Sequence, residues 1–291
     1  MTIEGKKGAL TPGLYLVATP IGNARDITLR TLDILRDADV LTAEDTRSLR
    51  RLLDIHGVAL GDRPLVSYHD HSSAKVRDRI IAALEAGQSV AYASEAGTPM
   101  ISDPGFDLMR AAQLAGYPAT SAPGPSAVVT ALTLAGLPTD RFLFAGFLPN
   151  ASGARKKALT ELRGVPATLV TYESPKRLGA MLRDAAEVLG AERPAAVCRE
   201  LTKKFEEVRR GTLTELADHY SDAQARGEIV VLIGKGDSDS VSETDLESEV
   251  RKALETMSVR DAADYVSARL GVKRRAVYQL AMQMESEQGD A

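Results

Sequence analysis

Along the first 122 residues, short apolar runs alternate with longer stretches in which apolar positions recur every three to four residues. The runs Leu14–Ala18, Val40–Ala43, Leu65–Ser67, Val90–Ser94 and Ala119–Ala122 read as buried strands. The stretches Thr28–Arg36, Ser48–His56, Ser73–Ala86 and Phe106–Leu114 read as helices. Gly87 and Gly116 stand where helices end. Strands this uniformly apolar, separated by helices, predict a mainly parallel sheet covered on both faces.

Pro123-Gly124-Pro125-Ser126 breaks the pattern, and Ser126 is a good N-cap for the apolar helix that follows. A domain boundary is placed here. Strands are then expected at Phe142–Gly146, Thr168–Tyr172, Ala195–Glu200, Glu206–Arg210 and Ile229–Lys235, with helices at Ala154–Leu162, Pro175–Leu189 and Leu213–Arg226. Arg199 to Lys203 ends one strand and is positioned to lead into the next as a hairpin. Gly236 to Ser242 is a polar linker. Three short helices follow. Ser242 with Asp245, and Ser258 with Asp261, fit capping boxes. Gly271 separates a helix ending near Leu270 from a basic one running Lys273 to Met284, which suggests helix-turn-helix geometry. The domains read as 13–123, 124–236 and 243–286.

Charge changes the picture of the tail. Asp237 to Ala291 holds 12 acidic and 7 basic residues, leaving the body with 28 acidic and 29 basic. The overall net of −4 argues against a general nucleic-acid binder, yet the body carries basic clusters. These are Arg47/Arg50/Arg51, Arg155/Lys156/Lys157, Lys176/Arg177 and Lys203/Lys204 with Arg209/Arg210. Such clusters serve either as phosphate contacts or as solvated helix faces. The lone cysteine, Cys198, excludes an intramolecular disulfide and a thiolate metal cluster. No apolar run approaches the roughly 18 residues of a membrane helix, and the N-terminus lacks a signal-peptide core. A cytoplasmic protein without membrane contact is expected.

Four strand ends lead into conformationally special bends. They are Pro20-Ile21-Gly22-Asn23, Glu44-Asp45-Thr46-Arg47, Ser94 to Pro99 continuing through Ile101 to Gly105, and Pro123 to Ala127. In a parallel sheet all four line one edge, where ligands of α/β proteins dock. Neither Gly-x-x-x-x-Gly-Lys nor Gly-x-Gly-x-x-Gly follows the first strand, which lowers the case for an NTPase or a nicotinamide enzyme. His69 and His71 lack a convincing third ligand, so no metal is expected. Ser94 and Ser126 lack a histidine partner for a hydrolase triad.

In this order, the motifs resemble the ribosomal RNA small-subunit methyltransferase I group of the tetrapyrrole methylase superfamily. The match runs from about Gly13 to Gly236 and continues into the last helices. It is carried by Ala18 to Asn23, Asp26 to Arg30, Ala43 to Arg47, Ser67-Tyr68-His69, Ala96 to Pro99 with Ile101 to Gly105, Gly136 to Phe142, Gly146 to Pro149, Tyr172 to Pro175 and Arg199 to Lys203. The resemblance implies two α/β domains with a donor cleft between them and a small helical domain behind. It implies S-adenosylmethionine as donor, no metal, and a homodimer. It also implies methyl transfer to the ribose 2′-hydroxyl of a cytidine in the decoding region of 16S rRNA on the small ribosomal subunit. A tetrapyrrole methyltransferase and a non-catalytic RNA-binding assembly factor are the alternatives. This chain departs from the group in having Glu95 for aspartate and Lys176 for histidine.

On this resemblance the donor is expected at Pro20, Ile21, Gly22, Glu95, Ala96, Gly97, Thr98, Ile101, Ser126 and Ala127, with Tyr172 against the adenine. Asp45, Glu44 and Lys203 are the candidates for handling the proton. Arg47 and Arg199 are the candidates for orienting them or a phosphate. Arg155, Lys156, Lys176, Arg177, Lys273, Arg274 and Arg275 are the expected RNA contacts.

Overall fold

Strand alternation sorts the apolar side chains of the first half onto two faces. β1 (Gly13–Val17), β2 (Val40–Ala43), β3 (Leu65–Ser67), β4 (Ser89–Ala93) and β5 (Ala119–Ala122) form one sheet in the order β3-β2-β4-β1-β5. Its pairings β1–β4, β1–β5, β2–β3 and β2–β4 are all parallel. Leu14, Leu16, Val90 and Tyr92 face α3 (Ala74–Glu85) and α4 (Gly105–Leu114), and pack with Ile80, Leu84 and Leu108. Val17, Leu41, Ala43, Ala91 and Ala93 take the other face with Ile34 and Leu35 of α1 (Leu29–Asp37) and Leu49 and Leu53 of α2 (Thr46–Ile55). Each fully buried Leu or Ile of this kind contributes roughly 1.5–3 kcal/mol. α5 (Ala127–Ala135) follows the Pro-Gly-Pro break, and the Ser126 carbonyl accepts the first helical hydrogen bond from Thr130 at 2.9 Å.

The structure, a computed structural model, describes residues 10–69, 72–101, 105–221, 225–236, 243–270 and 272–289. Asp70, His71, Ser102, Asp103, Pro104, the polar segment Asp237 to Ser242 and Gly271 lie outside the described residues. By internal contacts the chain divides into two units, Met1–Leu134 with Cys198–Glu207, and Ala135–Val197 with Val208–Ala291.

The second unit is built on a mixed sheet. β6 (Phe142–Phe147), β7 (Thr168–Glu173), β8 (Pro194–Arg199), β9 (Glu207–Thr212) and β10 (Ile229–Ile233) lie in the order β6-β7-β10-β8-β9. β6 and β7 run parallel, with a bulge between Phe144 and Gly146, and β7 and β10 run antiparallel. Seven residues join β8 to its neighbour β9, too few for a parallel crossover, so the pair is the expected hairpin. α6 (Ser152–Leu162), α7 (Leu178–Leu189) and α8 (Leu213–His219) cover a core of Leu159, Leu169, Met181, Leu182, Val197, Leu213 and Val231.

Several boundaries differ from expectation, and three of them have a clear local reason. β9 starts at Glu207 and not Glu206, whose carboxylate instead accepts the Thr202 N–H at 2.6 Å. α7 starts at Leu178 and not Pro175, because Ser174 to Arg177 closes a turn first, Arg177 N–H to Ser174 O at 3.1 Å. α8 stops at His219, where the Ser221 N–H turns back onto the Asp218 carbonyl at 3.2 Å. α9 (Glu243–Leu254), α10 (Val259–Leu270) and α11 (Arg274–Gly289) enclose their own core of Val250, Ala262, Val266, Val277 and Ala281. Ser258 caps α10 through the Asp261 N–H at 3.3 Å, as its spacing predicts. No described helix is long and apolar enough to cross a membrane.

Candidate functional site

Strand register brings the bends together. Val17 stands opposite both Ala93 and Ala122, and Ala43 opposite Ala93, so β1, β2, β4 and β5 end in one row. The chain leaving them must turn at the same edge. Backbone and hydroxyl hydrogen bonds then tie three of the bends to each other. Thr19 and Gly97 exchange N–H···O bonds at 3.0 Å each. The Ser94 hydroxyl donates to the Gly97 carbonyl at 2.6 Å, the Thr19 hydroxyl to the Ser94 carbonyl at 3.2 Å, and the Thr98 hydroxyl to the Pro125 carbonyl at 2.8 Å.

Glycine is required where these bends meet. Gly97 has φ +81°, and a Cβ there would sit 3.2 Å from Ile21 Cγ2 and 3.5 Å from the Pro125 carbonyl. A Cβ on Gly124 would lie 2.9 Å from the Ala18 methyl. Pro20, Ile21, Gly97, Thr98, Ser126 and Ala127 thus share a cradle walled by backbone, with Gly22, Glu95 and Ala96 exposed at its rim and Ile101 half-buried beyond Pro99. Such walls suit a nucleoside held by backbone N–H and C=O groups, and the missing side chains of Gly97 and Gly124 let the bends pack directly on Ile21 and Ala18.

The second bend is organised by a helix cap. Asp45 is the N-cap of α2 and accepts the Arg47 N–H at 2.7 Å. It also accepts the Arg47 guanidinium at 3.3 and 3.1 Å. These hydrogen bonds, the side-chain one foremost, hold the Asp45 carboxyl below the usual carboxylate range. Arg47 is otherwise exposed and feels the charge of Glu95, which places the second and third bends in one electrostatic neighbourhood. Glu44 is half-buried beside them at the end of β2.

The tip of the β8–β9 hairpin, Cys198–Glu207, belongs to the first unit and grips the first bend. The Asn23 N–H donates to the Thr202 hydroxyl at 3.0 Å. The missing Cβ of Gly22 leaves room for Lys203, whose Cγ would otherwise stand 2.5 Å away. Glu200 and Thr202 hold left-handed backbone, φ +52° and +64°, which is unfavourable for a β-branched threonine. Glu206 secures that turn by accepting the Thr202 N–H. The Lys203 ammonium donates to Glu200 at 2.9 Å, and Arg199 donates to Glu207 at 2.9 and 3.1 Å. Lys203 already serves as an ion-pair donor here, which suits a cation that orients and not a proton acceptor. Thr202 and Glu206 were not singled out from the sequence. Their grip on Asn23 spans 179 positions, and only the Thr-Lys pair within Arg199 to Lys203 hinted at it.

The remaining expected residues lie in the second unit. Tyr172 packs edge-on to Phe144 and Phe147, with centroids 4.9 and 5.5 Å away, and burial raises its phenol above the ordinary value. Arg155 corrects an expectation. It is 3% exposed, its guanidinium donates to Asp184 at 2.6 and 2.8 Å and to two backbone carbonyls, and no part of it faces an RNA phosphate. Lys156 pairs with Glu187 at 2.6 Å. Arg177 pairs with the buried Glu173 at 2.9 Å, while Lys176 beside it is exposed. Lys273 and Arg275 are exposed at the start of α11, and Arg274 pairs with Asp264.

Residues 13–217 match the family described as Tetrapyrrole (Corrin/Porphyrin) Methylases, and residues 240–285 match the RsmI C-terminal HTH domain. The chain is 46% identical over 282 residues to the ribosomal RNA small subunit methyltransferase I of Mesorhizobium japonicum, covering 97% of this chain and 95% of that one. It is 38% identical to the protein of that name from Escherichia coli O157:H7, covering 94% and 95%. In fold it is similar to the uroporphyrin-III C-methyl transferase of Thermus thermophilus complexed with S-adenyl homocysteine, with TM-score 0.54 and 21% identity over 76% of this chain and 97% of that one.

Proposed function

Since the chain belongs to the tetrapyrrole methylases, in the ribosomal RNA small subunit methyltransferase I branch, we propose that it transfers a methyl group from S-adenosylmethionine to the ribose 2′-oxygen of a cytidine in the decoding region of 16S rRNA. The observation that carries this reading is the row of bends at one sheet edge, cross-tied at Gly97. The small-subunit relatives supply the substrate, and the helical domain behind the methylase unit supports RNA over a tetrapyrrole.

A sulfonium donor supplies an electrophilic methyl carbon without help from a metal. The chain has two tasks beyond holding it. One is alignment, which in favourable cases is worth about 7–11 kcal/mol. Pro20, Ile21 and Gly22, Glu95 to Thr98, Ile101, Ser126 and Ala127 hold the donor in this proposal. Thr202, seated on Asn23, keeps the first bend in register with Lys203. The other task is receiving the 2′-hydroxyl proton as the methyl arrives, typically worth about 100- to 10,000-fold. Asp45 acts here as a positioning residue, because Arg47 and the α2 cap occupy its acceptor capacity. Glu44, next to it at the end of β2, takes the proton. Arg47, Arg199 and Lys203 supply positive charge for the phosphates flanking the target, and Lys273 and Arg275 do so from the helical domain.

The resemblance also carries a homodimer and a cytoplasmic location. Leu29, Phe106 and Val129, each more than half exposed on the first unit, supply apolar surface for a second copy. Incubating the protein with labelled donor and unmethylated small subunits, then mapping the modified nucleotide, tests the proposal. Label on the 2′-oxygen of a single cytidine is the expected result. Label on a base, or transfer only to a tetrapyrrole, refutes it.

A further inference from the structure

The N-terminus of α1 takes no part in the proposed chemistry, yet it touches two of the bends that form the cradle. Thr28 is its N-cap, and the Thr28 hydroxyl accepts the Thr31 N–H at 3.1 Å. The same hydroxyl donates to the Thr31 hydroxyl at 3.0 Å, which donates in turn to the Ala18 carbonyl at 3.3 Å. Ala18 leads directly into Thr19 and Pro20, so this relay ends at the entry to the first bend. Thr31 is fully buried, and bulk water does not replace a partner lost there.

Arg30, its neighbour in the chain, reaches the fourth bend instead. Its guanidinium donates to the Ser121 carbonyl at 3.1 Å, two residues before Pro123. A Cβ on Gly124 would lie 3.5 Å from the Thr28 methyl, so the cap itself packs against that bend. These contacts complete a frame. The first and third bends are tied by Thr19 with Gly97, and the third and fourth by the Thr98 hydroxyl on the Pro125 carbonyl. Between the fourth and the first, the Ala18 N–H meets the Ala122 carbonyl at 3.3 Å. α1 strengthens that third side, because adjacent residues of one helical turn hold the entry to each bend. A cradle walled by backbone gains affinity from such ties, since the free protein need not order its own walls when ligand arrives.

We infer that Thr31 and Arg30 are positioning residues for the methyl donor. From α1 they hold the first and fourth bends at the separation the donor needs. The inference rests on the donor reading of the bends proposed above and adds to it a support outside the cradle. Both residues act through the carbonyls they hold, and neither is assigned a contact with the donor or the proton.

The test uses the full chain with three variants. Thr31→Val keeps the shape and loses the hydroxyl, Thr31→Ser keeps the hydroxyl, and Arg30→Met changes an exposed side chain. S-adenosylhomocysteine binding is read by calorimetry, beside donor KM, kcat and denaturant unfolding. One hydrogen bond of ordinary net strength corresponds to about fivefold in affinity. Thr31→Val and Arg30→Met should each weaken S-adenosylhomocysteine binding and raise the donor KM by about that factor. In both, kcat at saturating donor and KM for small subunits should stay within about twofold of the parent. Thr31→Ser should recover most of the parent's affinity. Donor affinity unchanged in either variant, whatever the loss of stability, overturns the inference. An equal loss in Thr31→Ser credits packing and not the hydroxyl, and overturns it too. Should Thr31→Val fail to fold, Arg30→Met decides alone. A raised KM for subunits in Arg30→Met with donor binding intact gives Arg30 to an RNA phosphate and also overturns the inference. A parent that binds no S-adenosylhomocysteine overturns the donor reading of the bends itself.

Discussion

Replacing Gly22 with alanine adds one carbon where the chain leaves no room. That carbon would lie 2.5 Å from Lys203 Cγ, 2.7 Å from Thr202 Oγ1 and 3.0 Å from the Leu201 carbonyl oxygen. Relief to ordinary contact requires a shift of about 1 Å, because carbon atoms meet comfortably at about 3.5–4 Å. Lys203 Cγ is near the root of its side chain, and Leu201 contributes backbone, so rotamer change alone does not suffice. The hairpin tip or the Pro20 bend has to move. Overpacking of this kind costs about 1–3 kcal/mol, small enough that the protein stays folded. Misplacing a donor-holding bend by about 1 Å costs about 100-fold in rate. Gly22→Ala is therefore expected to reduce kcat/KM on small subunits about 100-fold while denaturant unfolding shows only the modest destabilisation. Thr202→Gly in the same chain removes one clash and the left-handed strain but also the hydroxyl that holds Asn23, so the two changes should be non-additive, a coupling read from a double-mutant cycle. Wild-type kcat/KM and donor affinity in Gly22→Ala would refute the reasoning and remove this bend from the site.

Four further outcomes are expected. Arg155→Met leaves the buried Asp184 with only the Ser152 hydroxyl and a distant Lys156 at 3.9 Å among the described residues, and chemical denaturation should register a loss of up to roughly 3–5 kcal/mol, with RNA affinity per folded molecule unchanged. Asp39 accepts from the Ser89 hydroxyl and N–H, which lower its carboxyl below the ordinary value. A depressed folded value gives stability that is complete above the unfolded value of about 3.9 and is lost as pH falls through the folded one. The thermal midpoint of Asp39→Asn should accordingly vary less than the parent's below about pH 4. Glu44→Gln should abolish the acidic limb of the kcat profile, whereas Asp45→Asn should lower kcat while keeping that limb; the reverse result exchanges their roles. Lys273→Gln with Arg275→Gln should flatten the salt dependence of subunit binding by about 1.4, and an unaltered slope would assign α11 to packing.

The parts of this molecule that follow from nearest-neighbour chemistry were legible in advance. The unbroken apolar run Leu14–Val17 announced a buried strand, and the Pro-Gly-Pro break announced a sharp turn into an apolar helix. The four bends were readable because proline, glycine and asparagine restrict the backbone locally, and a parallel sheet forces them to one edge. The cap formed by Thr212 and Glu215 was equally local and could have been read from its Thr-x-x-Glu spacing. What sequence patterns do not encode is which side chain meets which. Arg155 sits in a basic triplet indistinguishable from an RNA-binding face, and only the fold reveals Asp184 across from it. Asp45 looked like a proton acceptor until the geometry of α2 made it a cap. Thr202 stands inside the Arg199 to Lys203 motif, but its role comes from a partner early in the chain that the motif does not name.

The first unit is also discontinuous, and this matters during synthesis. When Leu134 has left the ribosome, the ten residues from Cys198 to Glu207 that complete that unit have not yet been made. About 70 residues separate the two points, a delay of roughly 4–15 s at ordinary elongation rates. Throughout that interval the nascent sheet presents its bends without the late-arriving brace. The first unit is therefore completed only after strands of the second have been translated, and an N-terminal product ending before Cys198 lacks this brace.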